Sequence, residues 1–421
     1  FSLRTMFLNK AAQLTEAIRS KLSVPIVYGG AGPTTEPERC IQHADMVCIG
    51  EGEQAMLALA DAIDRCGSLR DAKGVWLRQA GAVHKNALMP LEQNLDNIAF
   101  PDYEAVNKFS ILNSKLTVND PSLGNTSRYT YEIITSRGCP FTCSYCCNEL
   151  FKRLYDGQRY LRRRSVGNVI EELKDAKARY NIKSVLFKDE IFTFDLKWVA
   201  EFSLAYKREI NLPFWCNTHP LFVDRQIMRL LRGCGMFSVT MGIQSGSEEL
   251  LYNVFNRFTS NQKIIEAAVI LEELNLPTRP RFDMITNNPF ETEADCRNTL
   301  RMLMALPKPV NFGLTKLSFI PETKIARMSE DRQVNKQVDE KFYKFWNRLY
   351  LLNQYGYFPN GVIRYLSAYG FFKRYPILIQ ALLFPKFIEV RLREFNEAVK
   401  GHAPMGMILM LKRLRYLLKG Y

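Results

Sequence analysis

Residues Tyr131 to Leu150 read YEIITSRGCPFTCSYCCNEL. A short β-branched run, Ile133 to Thr135, meets a Gly138-Cys139-Pro140 break and then presents Cys139, Cys143 and Cys146 in a C-x3-C-x2-C spacing. Three thiolates on one tight loop can hold three irons of a cubic 4Fe-4S cluster and leave the fourth iron open to a ligand that is not protein. Structural zinc competes poorly, because it commonly takes two C-x2-C pairs and no second pair with that spacing exists elsewhere in the chain. A plain electron-transfer cluster would bring a fourth Cys. Cys147 is adjacent to Cys146, and neighbours on one backbone rarely reach the same cluster, so Cys147 reads as a packed thiol.

The 421 residues suffice for two or three domains, each with its own core. Apolar content of 47% and charged content of 24% are ordinary globular values, and no apolar run reaches the ~18 residues of a membrane span. Ten Cys without a secretory signal argue for reduced thiols in the cytoplasm. Of the net charge of +14, an excess of +10 lies in residues 331–421, with 16 Lys and Arg against 6 Asp and Glu. A basic partner surface would lie there. The chain opens on Phe1 in what reads as the middle of a domain, which implies an upstream segment.

In residues 1–72 helices and strands alternate: a helix over Lys10–Lys21, strands over Val24–Tyr28 and Ala44–Ile49, and a helix over Gln54–Arg65. The strands end in Gly29-Gly30 and in Gly50-Glu51-Gly52-Glu53, the pattern of a doubly wound parallel sheet with its ligand site at the strand C-termini. Taken alone, such glycines also mark simple turns. Residues 73–129 read as connector and linker, with short β stretches at Gly74–Arg78 and Ala82–His84 and a polar loop over Asn107–Tyr129.

Residues 130–325 alternate strand and helix six times. The strands fall at Tyr131–Thr135, Lys183–Phe187, Phe214–Asn217, Phe237–Ile243, Arg281–Ile285 and Phe312–Ser318, with helices such as Val166–Arg179 and Leu196–Lys207 between them. Such units build a parallel barrel or partial barrel whose site lies at the strands' C-terminal ends. Polar residues stand at four of those ends: Asp189 and Glu190, Asn217 and His219, Gln244 and Ser245, Asn287 and Asn288. Singly, each reads first as a cap or turn residue. Together they describe a cavity.

The cysteine loop, with Tyr145 in the aromatic position before its last Cys, resembles the signature of the radical S-adenosylmethionine (SAM) superfamily. The resemblance implies that Cys139, Cys143 and Cys146 hold a 4Fe-4S cluster whose open iron is chelated by SAM, and that the reduced cluster cleaves SAM to a 5'-deoxyadenosyl radical. FKDEIFT (Phe187–Thr193) stands where the family binds the SAM ammonium, which implies Asp189 and Glu190 as acceptors. MGIQSGSEELL (Met241–Leu251) with Asn256-Arg257 resembles the fourth-strand motif and implies Ser245 and Arg257 at the SAM carboxylate, with Gln244 lining the site. Many relatives carry Glu at that last position. FDMITNNPFET (Phe282–Thr292) resembles the region near adenine, with Asn288-Pro289 in place of the more usual Gly-Pro. Arg257 also admits a surface ion pair, and His219 admits the roles of general base, substrate ligand or satisfied loop residue.

Phe1-Ser2-Leu3-Arg4-Thr5, VYGGAGPT (Val27–Thr34) and ADMVCIGEGE (Ala44–Glu53) resemble the later half of the cobalamin-binding domain that precedes many radical SAM domains, a likeness that covers roughly the first hundred residues. The resemblance implies that Ser2, Thr5, Gly29, Gly30, Thr34, Gly50, Glu51, Gly52 and Glu53 line a groove for cobalamin. His43, just before a strand, reads as a surface or capping residue. The implied fold class is α/β: a partial (β/α)6 radical SAM barrel, preceded by an incomplete Rossmann-like cobalamin-binding domain and followed by a basic, mainly helical region over residues 326–421. There Val338–Tyr355 reads as an aromatic-rich helix and Met405–Lys419 as a basic amphipathic one. The latter either packs on the barrel or touches anionic lipid, and nothing in the sequence supports nucleic acid.

The expected function is a cytoplasmic, cobalamin-associated radical SAM enzyme that transfers methyl to an unactivated carbon of a small or lipid-like substrate, with a flavodoxin or ferredoxin as electron donor. A cyclase of the same fold and a non-catalytic iron-sulfur or cobalamin sensor are the rivals. Product mass separates the first, and failure to cleave SAM would favour the second.

Overall fold

The computed structural model describes residues 1–103, 109–112, 115–118, 130–334, 337–354, 356–380 and 382. The expected amphipathic helix at Met405–Lys419 and most of the linker loop lie outside the described residues. The chain forms two compact units. The first comprises residues 1–239, 252–258 and 318–334, and the second residues 240–251, 259–317 and the described residues from 337 onward.

The first unit opens with a small doubly wound lobe. Strands Val27–Tyr28 and Met46–Cys48 pair in parallel, Val27 opposite Met46. Successive side chains of a strand point to opposite faces. Accordingly Val47 and Ile49 pack with Tyr28 and with Leu8 and Ala11 of helix Leu8–Arg19, while Met46 and Cys48 pack with Ala55 and Leu59 of helix Glu53–Asp64. The sheet continues past residue 72: strand Val75–Gln79 runs antiparallel to Met46–Cys48 and forms a hairpin with Ala82–Lys85. Ser2 forms a parallel bridge to Gly29, so the first residues run along the edge of this sheet.

The same unit contains three parallel strands of the larger sheet, Thr130–Ile133, Ser184–Phe187 and Phe214–Thr218, in that hydrogen-bonded order, followed by the start of a fourth, Met236–Gln244. Helices Val166–Tyr180 and Leu196–Glu209 return the chain between them. Ser165 and Asp195 cap their N-termini by accepting from Asn168 N at 3.2 Å and Trp198 N at 3.1 Å. Phe187, Phe192, Phe202, Tyr206 and Phe214 are all fully buried and meet edge to face or tilted. Rings of this size dominate the burial energy of a core.

In the second unit the rest of the fourth strand pairs in parallel with Arg281–Thr286, which pairs in parallel with Asn311–Lys316. Helix Glu293–Ala305 starts from a capping box between Thr292 and Asp295. Helix Glu340–Asn353 buries Tyr343, Phe345, Trp346 and Tyr350, and Tyr350 donates to Cys296 O at 3.2 Å. The aromatic richness of this helix is therefore packing. Among the described residues no helix is long and apolar enough to cross a membrane.

Candidate active site on a three-cysteine loop

Beyond the first strand, Thr135 and Ser136 are fixed by Asp189: its carboxylate accepts from Thr135 N at 3.2 Å, Thr135 Oγ1 at 2.7 Å and Ser136 Oγ at 2.5 Å. Residues Ser136–Arg137 then pair with Arg162–Arg163. Gly138 has φ +92°, and a Cβ there would lie 2.5 Å from Tyr160 O. Only glycine can take the chain past that carbonyl into the cysteine loop.

The loop is gripped from a distant segment. Asn256 Nδ2 donates to Thr142 O at 2.8 Å and to Thr142 Oγ1 at 3.0 Å. Ser144 N donates to Phe255 O at 2.9 Å, and Ser144 Oγ donates to Val254 O at 2.5 Å. Ile325 N donates to Ser144 O at 3.0 Å, so the residues after Ile320-Pro321-Glu322-Thr323 hold the loop as well. Cys146 N closes back on Cys143 O at 3.1 Å, and helix Cys147–Leu154 follows.

Cys139, Cys143 and Cys146 are free thiols; Cys143 is buried and the other two are partly exposed. Asn148 Nδ2 lies 3.6 Å from Cys146 Sγ and Arg257 Nη1 lies 3.9 Å from Cys143 Sγ. Burial pushes the Cys139 thiol up to about 12. A bound metal centre would reverse that by holding each sulfur as thiolate. Among the described residues no three His, Cys, Asp or Glu converge on a single ion's position. A cubane spreads its three protein thiolates over three irons, and nitrogen donors at the sulfurs are what tune such a cluster. The loop's donor set thus fits a 4Fe-4S cluster. A cavity of about 180 Å³ opens beside Cys139, between Lys152, Tyr155, Gln158 and Tyr160. Cys147, expected as a packed thiol, is half-buried and hydrogen-bonded to Cys146, which holds it below the usual thiol range.

The residues expected at SAM divide between the units. In the first, Tyr145 packs edge to face on Phe255 at 5.0 Å. Arg257 is 6% exposed beside Cys143, which corrects the surface ion-pair alternative. Asp189 is 1% exposed, its carboxylate spent on Thr135 and Ser136, so it is not available to an ammonium ion. Glu190 is exposed, and partial desolvation followed by the nearby Asp189 raises its carboxyl above the usual range. In the second unit, Gln244 takes a left-handed φ of +66° where the register shifts between Gly242 and Gln244. Backbone strain of this kind in a non-glycine residue is over-represented at active sites and ligand clamps. Ser245 is buried against Thr299 Oγ1 at 3.1 Å and accepts from Ser247 N at 3.1 Å. Asn288, fully buried, accepts from Phe290 N at 3.1 Å through its side chain and from the Tyr343 hydroxyl through its carbonyl. Its side-chain Nδ2 is buried with no hydrogen-bond partner.

The expected cobalamin set is also divided. Ser2 is exposed and Gly29 and Gly30 are partly so, with Gly29 N donating to Phe1 O at 2.8 Å and Gly29 O accepting from Leu3 N at 2.7 Å. Thr5 meets Thr35 at 3.3 Å, and Thr34 donates to Gly30 O at 2.9 Å while accepting from Gly50 N at 3.0 Å. The second loop is occupied by protein: a Cβ at Gly50 (φ +83°) would overlap the Tyr155 hydroxyl, to which Glu51 N donates at 3.1 Å. Glu51 pairs with Arg162 and Arg137, and Glu53 pairs with Arg137 at 2.5 Å; Gly52 precedes helix Glu53–Asp64. Gly50 to Glu53 therefore do not fit a ligand-lining role; they dock the lobe onto the strands that flank the cysteine loop. Sequence reasoning missed Asn256, Arg162 and Tyr155 in these roles, and only Asn256, beside Arg257 in the quoted motif, carried a signal.

Residues 133–303 match the family model described as the radical SAM superfamily. The chain is 28% identical over 288 residues to an uncharacterized methyltransferase of Pyrococcus horikoshii, covering 68% of this chain and 58% of that protein. It is 25% identical to the anaerobic magnesium-protoporphyrin IX monomethyl ester cyclase of Cereibacter sphaeroides, covering 66% of this chain and 44% of that one. The chain thus spans about half the length of the curated relatives it matches. The structure of the radical SAM methyltransferase TsrM from Kitasatospora setae, solved with cobalamin and a 4Fe-4S cluster, aligns with a TM-score of 0.61 at 18% identity, covering 77% of this chain and 61% of TsrM. The three-cysteine loop lies inside the span that matches the radical SAM superfamily model, and the chain shares its fold with TsrM.

Proposed function

We propose that this chain is the core of a radical SAM enzyme that transfers a methyl group to an unactivated carbon of a small molecule. The carrying observation is the Cys139–Cys146 loop, fixed by Asn256 and supplied with nitrogen donors at two of its sulfurs. When bound, the cluster supplies the electron that cleaves SAM, and cobalamin supplies the methyl group. Cys139, Cys143 and Cys146 would hold the cluster. Glu190 would accept from the SAM ammonium, and Arg257 would face its carboxylate. Ser2, Gly29 and Gly30 would line part of the cobalamin groove, and the relatives' names support methylation. The matched cyclase keeps a second reading alive: oxidative ring closure on the same core.

The test is anaerobic reconstitution with iron and sulfide, reduction with SAM and an assay for 5'-deoxyadenosine, with Cys143→Ala as control. Production that vanishes in the variant supports the reading. A loaded cluster that leaves SAM intact contradicts it. Product mass from an accepted substrate then separates a gained methyl group from lost hydrogen.

A further inference from the structure

His219 stands directly after the third strand, Phe214–Thr218. Parallel α/β folds bind ligands at this end of their strands. The side chain is 3% exposed, and its ring stacks on Phe141 of the cysteine loop with centroids 4.2 Å apart and an angle of 29°. Nδ1 accepts from Leu221 N at 3.2 Å, which begins the short turn Pro220–Phe222. An imidazole whose Nδ1 accepts carries its proton on Nε2. That Nε2 is buried and has no hydrogen-bond partner.

A buried N–H without an acceptor is costly, and native structures keep one mainly where a ligand, an ordered water or an ion completes it. The ring cannot escape the cost by charging, because burial and then the Arg257 guanidinium drive its basicity down to about 2. Nor can it serve as a general base, since Nδ1 is occupied and Nε2 holds the proton. What is left is a neutral donor, placed against the cluster loop and within the field of a buried cation. A cation and a neutral N–H in one neighbourhood suit a carboxylate, which can accept from both.

We propose that His219 is a SAM-binding residue whose Nε2–H donates to the carboxylate of the methionine part of SAM, beside Arg257. The inference rests on the radical SAM reading above and adds a residue that neither the family match nor the quoted motifs assign.

The experiment compares wild type, His219→Leu and His219→Gln, each reconstituted with the cluster, by equilibrium binding of SAM and by the midpoint potential of the SAM-free cluster. Gln keeps a side-chain N–H donor and controls for lost packing. Leu should weaken SAM binding about 10- to 100-fold, as expected for a lost hydrogen bond to a charged group. Gln should recover most of that affinity, and the SAM-free potential should stay unchanged in both. Unchanged SAM affinity in the Leu variant overturns the proposal. A shift in potential without a shift in affinity also overturns it, because the donor then serves a cluster sulfur. Wild-type protein that takes up a cluster but binds no SAM removes the radical SAM reading itself, an outcome distinct from either.

Discussion

Arg162 and Glu51 stand 111 positions apart and form a forked ion pair, one branch of which measures 3.1 Å. Arg162 is 1% exposed, whereas the Glu51 side chain is 23% exposed and has Arg137 as a second partner at 3.2 Å. Removing Glu51 therefore strands a buried cation, and removing Arg162 leaves a carboxylate that Arg137 and water still serve. Glu51→Leu should destabilise the protein by about 3 kcal/mol, and Arg162→Met by clearly less. Urea midpoints of the two variants check the order.

Gly50 and Tyr155 give a second test of the same contact. Gly50→Ala puts a methyl group onto the Tyr155 hydroxyl and forces a side-chain residue to φ +83°, at a cost of about 1–3 kcal/mol from the backbone alone. Adding Tyr155→Phe removes the closest overlap, leaving ring Cζ 2.9 Å from the new methyl group, but not the strain. The double variant should be more stable than the sum of the single changes, and a double-mutant cycle on melting temperature measures the difference.

Asn256 holds the cysteine loop through two bonds to Thr142. Asn256→Asp keeps a side chain suited to its left-handed φ of +49° but loses the N–H donor. The global cost should be about 1–2 kcal/mol. The larger effect should be local: faster loss of iron to a chelator from the reconstituted variant than from wild type, followed by absorbance.

Glu291 carries a carboxyl pushed up to about 8 by burial and then by Asp295. Its folded-state value lies above the unfolded one, so the native state retains a proton that the unfolded chain has released. Stability should fall as pH rises from about 4.5 toward 8 on this account. Glu291→Gln mimics the protonated form and should flatten that slope, which denaturation midpoints across the range would show.

Much of this fold was legible because its strands end in polar or glycine-rich turns. All six strands of the larger sheet fall within two residues of their expected limits, and the aromatic helix runs from Glu340 to Asn353. The inward turn of Asp189 was also present in the sequence: in Phe187-Lys188-Asp189-Glu190 alternate residues face alternate sides, with Phe187 and Asp189 buried and Lys188 and Glu190 exposed. The family motif drew both acidic residues to one role and hid the alternation. The pairing of Glu51 with Arg162, and of Asn256 with Thr142 over 114 positions, was not legible. Such contacts depend on how elements pack, and no local spacing encodes them.

The central claim is that Cys139, Cys143 and Cys146 hold a cluster with one iron open to SAM. The most direct measurement is electron paramagnetic resonance of the reduced, anaerobically reconstituted protein with and without SAM, beside iron and sulfide counts for wild type and the three single Cys→Ala variants. The account expects about four irons per wild-type chain, a spectrum that changes when SAM is added, and loss of the cluster signal in each variant. A spectrum indifferent to SAM, or variants that load as well as wild type, would contradict it.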